Sequence, residues 1–236
     1  MTGNAYILAS SANCRLITSD GSTKYLLYTL TNTANTSLAS SNVDLTSLLS
    51  ANTATTGWQV SDDCTKIVGK NLVYATVSGS MSQVYSNSSL ISFDSSLTYG
   101  ITSGQILKYN TTSKTYNAIY SSLNSSFTAG SIIQSYSNRI VVYKVSSTSV
   151  LLDVFVDNNN AVTNITSTTS YTFTSSPKVS LSSQLTKILI YGVNGATTTS
   201  LKANLFSVNY TSKSIQTLTF PTETVLDPAN FIALVE

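Results

Sequence analysis

Two segments of this chain repeat one pattern although more than a hundred residues separate them. Residues 59 to 68 read QVSDDCTKIV, and residues 178 to 191 read KVSLSSQLTKILIY. In both, a Val-Ser pair is followed by a polar turn and then by Thr-Lys-Ile at the head of an apolar run. A pattern that returns along a chain predicts a repeat architecture, in which small units of similar structure pack on one another.

Further copies of the pattern place a basic residue before an aliphatic pair. These basic residues are Arg15, Lys66, Arg139 and Lys187, and a fifth copy has Leu97-Thr98-Tyr99 without one. The units begin near residues 5, 57, 89, 130 and 177, and each contains about four short apolar runs separated by Asn, Ser, Gly or Asp. Such runs and separators are typical of strands and turns. We therefore expect the basic residues to open strands and to have a structural role.

A second equivalence concerns the end of a unit. Residues 106 to 119, ILKYNTTSKTYNAI, align with residues 205 to 218, LFSVNYTSKSIQTL. The alignment places Asn110 on Asn209 and Lys114 on Lys213. Each segment is predicted to be a strand, a polar turn and a second strand.

The pattern Ser-x-Asp-x-x-Lys-Ile, present as Ser61, Asp63, Lys66 and Ile67, resembles the repeats of β-propellers of the TolB-like and WD40-like classes. The resemblance implies an all-β propeller of about five four-stranded blades. It implies a single domain over residues 1–220, followed by a C-terminal extension over residues 221–236. No Trp-Asp dipeptide ends a unit and the turn glycine is absent, both departures from the WD40 pattern. The alternative is a β-sandwich in one or two domains.

Charge is scarce in this sequence, which has 12 Lys and Arg, 10 Asp and Glu, and a net charge of +2 in 236 residues. The basic residues are scattered singly, so we expect no nucleic-acid partner. No apolar run has the roughly 18 residues that a spanning helix needs, and we expect no membrane span. Serine and threonine are the commonest residues, a composition that favours an extracellular or cell-surface location.

The absence of histidine excludes the Ser-His-Asp and Cys-His arrangements and any imidazole metal site. No GxGxxG or Walker pattern occurs, and we expect no cofactor and no metal. A glycoside hydrolase would need two facing carboxylates. The candidates within the repeats are Asp62, Asp63, Asp94, Asp153 and Asp157, because both glutamates lie in the tail. Asp63 and Asp94 are expected at equivalent turn positions.

Two short features have a ligand interpretation and a simpler structural one. The run DNNN at residues 157 to 160 offers oxygen ligands for Ca²⁺, but it also suits a tight hairpin turn, which we favour. Cys14 and Cys64 lie at similar places in the first two units and are candidates for one disulfide. The alternative for these cysteines is a pair of free, buried thiols.

The sequence contains six N-glycosylation sequons. The acceptor residues are Asn35, Asn87, Asn110, Asn124, Asn164 and Asn209. Their number carries no information, since a chain this rich in Asn, Ser and Thr produces about as many by chance. The matching positions of Asn110 and Asn209 favour turns that face solvent.

The C-terminal segment differs from the repeats and ends in an apolar run. This run, a candidate inter-subunit strand, consists of Phe231, Ile232, Ala233, Leu234 and Val235. It is predicted either to close the ring against the first strand or to pair with a neighbouring subunit.

Three functions remain open from the sequence. The first is a non-enzymatic extracellular structural protein that self-associates into a homopolymer, as a subunit of a surface filament, coat or adhesive assembly. The second is a monomeric propeller that binds carbohydrate or protein through its many tyrosines and asparagines, with glycans as a candidate partner. The third is an aspartate-dependent glycoside hydrolase, the least favoured.

Overall fold

The computed structural model describes residues 5–11, 13–19, 24–31, 39–49, 58–69, 71–194 and 201–219. The regular structure in these residues is 21 strands and one helical turn, α1 (Thr46–Leu49). No helix in the described part of the chain is long and apolar enough to cross a membrane. The chain divides into two compact units, one with Met1–Gly100 and Leu107–Asn117, the other with Ile101–Ile106 and Ala118–Glu236.

The strands form five sheets, numbered here in chain order. Sheet 1 contains β1 (Ala5–Ser10), β2 (Cys14–Ser19), β3 (Tyr25–Thr31) and β4 (Ala39–Asp44). Sheet 2 contains β5 (Gln59–Val60), β6 (Lys66–Gly69), β7 (Leu72–Val77) and β8 (Ser80–Ser86). Sheet 3 contains β9 (Leu90–Phe93), β10 (Tyr99–Thr102), β11 (Gln105–Asn110) and β12 (Thr115–Tyr120). Sheet 4 contains β13 (Ser131–Tyr136), β14 (Arg139–Val145), β15 (Ser149–Asn158), β16 (Ala161–Asn164) and β17 (Thr169–Thr172). Sheet 5 contains β18 (Ser175–Leu181), β19 (Lys187–Val193), β20 (Leu201–Asn209) and β21 (Ser214–Thr219).

Within each sheet the strands follow one another in sequence order and pair antiparallel, which is the construction of a propeller blade. This confirms the all-β class, the resemblance to propeller repeats and the number of five units. The first strands of the sheets begin within two residues of the predicted unit starts. The described strands form five separate sheets, whereas a single sandwich has two. The predicted extension, residues 221–236, lies outside the described residues.

The apolar runs are continuous because both faces of a sheet are covered. In β6, Ile67 packs with Leu16 of sheet 1, whereas the next residue, Val68, packs with Leu107 of sheet 3. Successive side chains of a strand point to opposite faces, so neighbouring residues of one strand reach two different cores. A strand buried on both faces does not show the alternation of apolar and polar residues that marks a half-buried strand.

The second compact unit has the same arrangement between sheets 4 and 5. Val141 and Val154 of sheet 4 pack against Ile188 and Phe206 of sheet 5, and all four side chains are buried. Leu189, one residue beyond Ile188, belongs to a separate cluster on the other face of sheet 5. The period of two along β19 therefore assigns alternate residues to different interfaces.

Three sheets contain a buried aromatic ring that lies directly over a glycine. A Cβ atom added to Gly69, Gly100 or Gly192 would lie 2.3 Å from Trp58, 2.4 Å from Phe93 or 2.8 Å from Phe173, respectively. These distances are too short for two carbon atoms, so the ring occupies the space of the missing side chain. The pairing also covers the exposed backbone that glycine leaves in a strand.

Replacement of Gly100 by alanine is predicted to destabilise the protein by about 1 to 3 kcal/mol, because the new methyl group overpacks the Phe93 ring. Urea denaturation of the variant and of the wild type measures the change. In a Phe93→Leu background the same substitution is expected to cost less, because a leucine can move aside. Equal costs in both backgrounds would show that the contact between Gly100 and Phe93 is not the cause.

Candidate functional site: the repeated turn and its braces

Three turns between the first and second strands of a sheet share one set of backbone hydrogen bonds. They span residues 61–66, 94–99 and 182–187, and each is called a repeated turn below. In each, the first residue donates its N–H to the carbonyl of the sixth, and its own carbonyl accepts the N–H of the fourth, with all N–O distances between 2.9 and 3.0 Å. The pattern that recurs in the sequence therefore encodes one turn geometry in three sheets.

The fourth residue of each repeated turn has a left-handed backbone although it is not glycine. The φ angles are 59° at Cys64, 52° at Leu97 and 58° at Leu185. For residues with a Cβ atom this conformation costs roughly 1 to 2 kcal/mol. The turn glycine that the sequence lacks is thus replaced by residues that need compensation from other contacts.

The first side chain of each repeated turn receives the N–H of the following strand. Ser61 and Ser182 accept the N–H of Lys66 and Lys187 through their hydroxyl oxygens, both at 3.0 Å. Asp94 accepts the N–H of Tyr99 at the same distance. The expected equivalence of Asp63 and Asp94 is therefore wrong, because Asp94 occupies the place of Ser61. A carboxylate and a hydroxyl are interchangeable here since each offers one acceptor at the same distance from the backbone.

Asp63 belongs to the first repeated turn but has no counterpart in the other two. Its carboxylate accepts the hydroxyl of Ser61 at 2.5 Å and both the N–H and the hydroxyl of Thr65, at 3.0 and 2.8 Å. Lys66 Nζ lies 3.5 Å from the other oxygen. Burial raises the pKa of Asp63, but the hydrogen bonds from Ser61 and Thr65 outweigh it and lower the pKa to about 2. The group stays ionised, which does not suit a proton donor.

In two of the repeated turns, the carbonyl of the left-handed residue accepts a hydrogen bond from a tyrosine hydroxyl. The sequence did not point to either tyrosine. Tyr116 of β12 donates its hydroxyl to Leu97 O, and Tyr210 donates to Leu185 O at 2.8 Å. Burial raises the pKa of both phenols, so they remain donors at all physiological pH values. The two tyrosines do not align in the repeat, since one lies in a strand and the other in a turn. No local pattern could have identified them.

The corresponding residue of the first repeated turn, Cys64, is held by a disulfide. Cys14, the first residue of β2, is bonded to Cys64 with a Cα–Cα distance of 5.7 Å. Cys14 is fully buried in the core that sheets 1 and 2 share. The bond therefore joins two neighbouring sheets and fixes a left-handed turn residue at the same time.

Two of the basic residues also join neighbouring sheets. Lys66 Nζ lies 5.4 Å from the ring centroid of Tyr109 in sheet 3. The guanidinium of Arg139 in sheet 4 donates to Gln184 O in sheet 5 at 2.8 Å and lies 5.1 Å from the ring of Tyr210. A cation over an aromatic face contributes about 0.5 to 2 kcal/mol, depending on its exposure.

The other two basic residues of the pattern contribute less to the contacts between sheets. Arg15 donates to the carbonyls of Ser11 and Cys14, both within sheet 1 or its first turn, and Lys187 has an exposed side chain. All four basic residues lie at the first or second position of their strands, as the sequence predicts. They differ in what the head group contacts.

Asp153 lies in β15 of sheet 4, opposite an interruption in the strand that pairs with β15. The outer partner of the long strand β15 is interrupted, because β16 ends at Asn164 and β17 begins at Thr169. Asp153 lies opposite this interruption and accepts the hydroxyls of Thr168 at 2.9 Å and of Thr166 at 3.4 Å. Its side chain is 1% exposed. Burial raises the pKa of Asp153 to about 6, although hydrogen bonds from Thr168, Asn164 and Thr166 oppose the shift.

The remaining candidate aspartates lie in separate elements. Asp157 is at the end of β15, where its carboxylate accepts the N–H of Asn160 at 2.6 Å. Asn159 and Asn160 form a two-residue hairpin loop with φ angles of 54° and 73°, so the DNNN run is a turn of the predicted kind. Asp62 lies exposed in the first repeated turn. No three His, Cys, Asp or Glu side chains of the described residues are grouped so that they could hold a metal ion.

The sequon asparagines that the structure describes all lie in turns or at strand ends. They are Asn87, Asn110, Asn124, Asn164 and Asn209. Asn110 and Asn209 occupy equivalent hairpins, and Lys114 and Lys213 in those hairpins both have positive φ, at 57° and 52°. The equivalence of these two segments is therefore confirmed. Asn35 and the candidate inter-subunit strand, residues 231–235, lie outside the described residues.

Comparison with known proteins adds a fold-level likeness. No protein-family model matches the chain, and no curated protein matches it. The hydrazine synthase of Kuenenia stuttgartiensis is similar over 91% of this chain and 65% of its own, with 10% identity and a TM-score of 0.46. The WD40 domain of SCAP from fission yeast is similar over 99% of this chain and 57% of its own, with 7% identity and a TM-score of 0.32. The chain spans less than two thirds of either neighbour, and neither likeness carries a functional argument.

Loss of the Tyr210 hydroxyl is predicted to destabilise the protein. Tyr210→Phe leaves the carbonyl of Leu185, a buried residue, without its donor, which costs about 1 to 3 kcal/mol. Tyr136→Phe is the control, because the Tyr136 side chain is 45% exposed. Thermal unfolding measures both. A Tyr210→Phe variant as stable as the control would refute the assigned role of this hydroxyl.

The raised pKa of Asp153 predicts a pH dependence of stability. The folded state holds this proton up to about pH 6, whereas the unfolded chain loses it near the ordinary value of 3.8. The contribution of Asp153 to stability is therefore present below about pH 4 and is lost as the pH rises to about 6. Denaturant midpoints across this window are expected to fall in the wild type and to change less in Asp153→Asn. The exposed Asp62→Asn variant is the control, and an unchanged slope in Asp153→Asn would contradict the prediction.

Proposed function

We propose that this protein is a non-enzymatic extracellular structural protein, a subunit of a surface filament, coat or adhesive assembly built from copies of itself. The observation that carries the proposal is the composition of the strands that end each sheet. Each sheet has two end strands, and those that come first include β18, which contains Pro177 and Lys178. The end strands that come last are β4, β8, β12, β21 and, in sheet 4, the interrupted pair β16 and β17. They contain no Lys, Arg or Pro, and Asp44 is the one charged residue among them.

Uncharged edge strands favour association because their outer N–H and C=O groups can pair with another chain. Soluble proteins usually protect such edges with lysine, proline or a bulge. The residues of β8, SMSQVYS, include neither lysine nor proline, although the pairing of β8 with β7 has a bulge between Val73 and Tyr74. Val43 of β4 is 54% exposed. Edges without lysine and proline suit a protein whose function is to pair with its neighbours.

The proposed partner is a second copy of the chain, which supplies the apolar run Phe231–Val235 as the added strand. This run is short, free of charge until Glu236, and of the length that strand addition uses. Backbone hydrogen bonds provide most of the affinity in strand addition, so few specific side chains are required on the accepting edge.

Two further features support an extracellular and non-enzymatic role. The disulfide between Cys14 and Cys64 fits an oxidising compartment, since such bonds are rare in the cytosol. The carboxylates of Asp63, Asp94 and Asp153 are bound to hydroxyl and N–H groups of their own sheets. Groups that are occupied in this way stabilise the fold and do not form the facing pair that glycoside hydrolysis requires.

Negative-stain electron microscopy and light scattering of the purified chain test the proposal. The wild type is expected to form regular polymers. The Ile232→Lys, Leu234→Lys double variant is expected to remain monomeric, because two charges on the added strand oppose its burial against an uncharged edge. Val145→Lys is the control, because it also adds a lysine but does so at an exposed position of an inner strand. This variant is expected to form polymers like the wild type.

A wild type that remains a monodisperse monomer at all concentrations would overturn the proposal. Binding of that monomer on a glycan array would then favour the carbohydrate-binding alternative. Release of reducing sugar from polysaccharides by the wild type, lost in Asp153→Asn, would instead favour the hydrolase.

A further inference from the structure

The described sequons share one local geometry. In each, the backbone N–H of the sequon's own Ser or Thr donates to Oδ1 of the acceptor asparagine. The distances are 2.8 Å at Asn87, Asn110 and Asn124, 2.9 Å at Asn164 and 3.0 Å at Asn209. Because Oδ1 faces the backbone, Nδ2, the atom to which a glycan is attached, is directed away from the turn.

At two of these sequons another side chain interacts with the acceptor asparagine. Asn87 donates Nδ2–H to the hydroxyl of Tyr85 at 3.1 Å. Asn164 is half-buried, and its amide lowers the pKa of the neighbouring Asp153, whose carboxylate is 1% exposed. We expect an oligosaccharide on Nδ2 of Asn164 to disturb the surroundings of this buried carboxylate.

Asn110 and Asn209 have the opposite environment. Each Oδ1 accepts a second N–H, from Ser113 and Ser212 respectively, both at 3.0 Å. Nδ2 of both residues makes no hydrogen bond with any described residue. Asn209 is exposed, as are Thr211 and Ser212 beyond the half-buried Tyr210. Asn110 is half-buried, and the three residues after it are exposed. Two bonds hold each side chain in place and leave Nδ2 available for a glycan.

Asn124 has the hydrogen bond that all described sequons share, but it lacks the second N–H and the hairpin position of Asn110 and Asn209. Its Oδ1 accepts one N–H, and the loop that contains it turns back into the core at Phe127, which is fully buried. It does not lie in a hairpin between strands, and the inference below does not include it.

The two hairpins lie where a glycan can hinder the pairing of another chain with the sheet. Each leads into a strand that ends its sheet, β12 after Asn110 and β21 after Asn209. Both strands lack charged residues. A branched, hydrated oligosaccharide at the start of such a strand keeps another chain from pairing along it. It thereby replaces the lysines that usually protect an edge.

We propose that Asn110 and Asn209 are N-glycosylated and that their glycans block the edges of sheets 3 and 5, which limits strand addition to the other sheets. The proposal rests on the extracellular role proposed above. The sugar donor is a lipid-diphosphate-linked oligosaccharide. Nδ2 forms a bond to the anomeric carbon and loses one proton, while the bond from that carbon to the diphosphate oxygen breaks and the lipid diphosphate leaves with the electron pair.

Expression of the full chain with an added leader in a eukaryotic secretory host tests the assignment. Peptide N-glycosidase treatment in heavy-oxygen water, followed by peptide mass spectrometry, labels each asparagine that carried a glycan. Most molecules are expected to be labelled at Asn110 and Asn209, and few at Asn164. Thr112→Ala and Thr211→Ala should each remove one glycan, whereas the matched Thr112→Ser and Thr211→Ser variants keep the sequon and should retain it.

Secreted, folded protein that is unmodified at Asn110 and Asn209, or extensively modified at Asn164, would overturn the proposal. The effect on association has its own measurement. Light scattering of the Asn110→Gln, Asn209→Gln double variant is expected to show larger, less regular assemblies than the glycosylated wild type, and identical assemblies would refute the edge-blocking role. Glycosylated protein that stays monomeric would remove the filament proposal and leave the glycan sites standing.

Discussion

The left-handed residue at the tip of each repeated turn determines much of the structure around it. A turn with this geometry must be stabilised by other contacts when its fourth residue carries a side chain. The three turns obtain this support in different ways. Cys64 is held by a disulfide, Leu97 by a phenol from the last strand of its own sheet, and Leu185 by a phenol from another hairpin of its own sheet. The three turns therefore share their backbone hydrogen bonds and their left-handed residue. The groups that support this residue differ from turn to turn.

Scarcity of charge explains which groups provide this support. With few ion pairs available, the sheets are joined by aromatic rings, hydroxyl groups and single cations placed over rings, as at Lys66 and Arg139. The same scarcity leaves the last strand of each sheet without lysine. The scarcity of charge therefore has two effects. In the interior, hydroxyl groups provide the hydrogen bonds of buried groups such as Asp153. At the edges of the sheets, backbone groups lack charged neighbours.

The sequence predicted the parts of the structure that depend on local pattern. Unit starts, basic strand-opening residues and the paired hairpins at Asn110 and Asn209 follow from alternation and turn chemistry, which act over a few residues. The error at Asp63 has a physical origin: the alignment matched identical residue types, whereas the turn selects for an acceptor, and Ser61 and Asp94 are both acceptors. Tyr116, Tyr210 and the threonines around Asp153 were missed because they lie 12 or more residues from the groups they bind, and pattern analysis does not connect such distances.

The functional argument depends on how the reactive side chains are used. A catalytic carboxylate needs a partner across a cleft and a pKa near the working pH. Asp153 has the raised pKa, but its oxygens face Thr166 and Thr168 in the interior of its own sheet. Asp63 has the exposed position, but its pKa is too low for a proton donor. The two requirements are thus met by different residues in different sheets, and this separation is consistent with the proposed role, in which the protein acts through its edges.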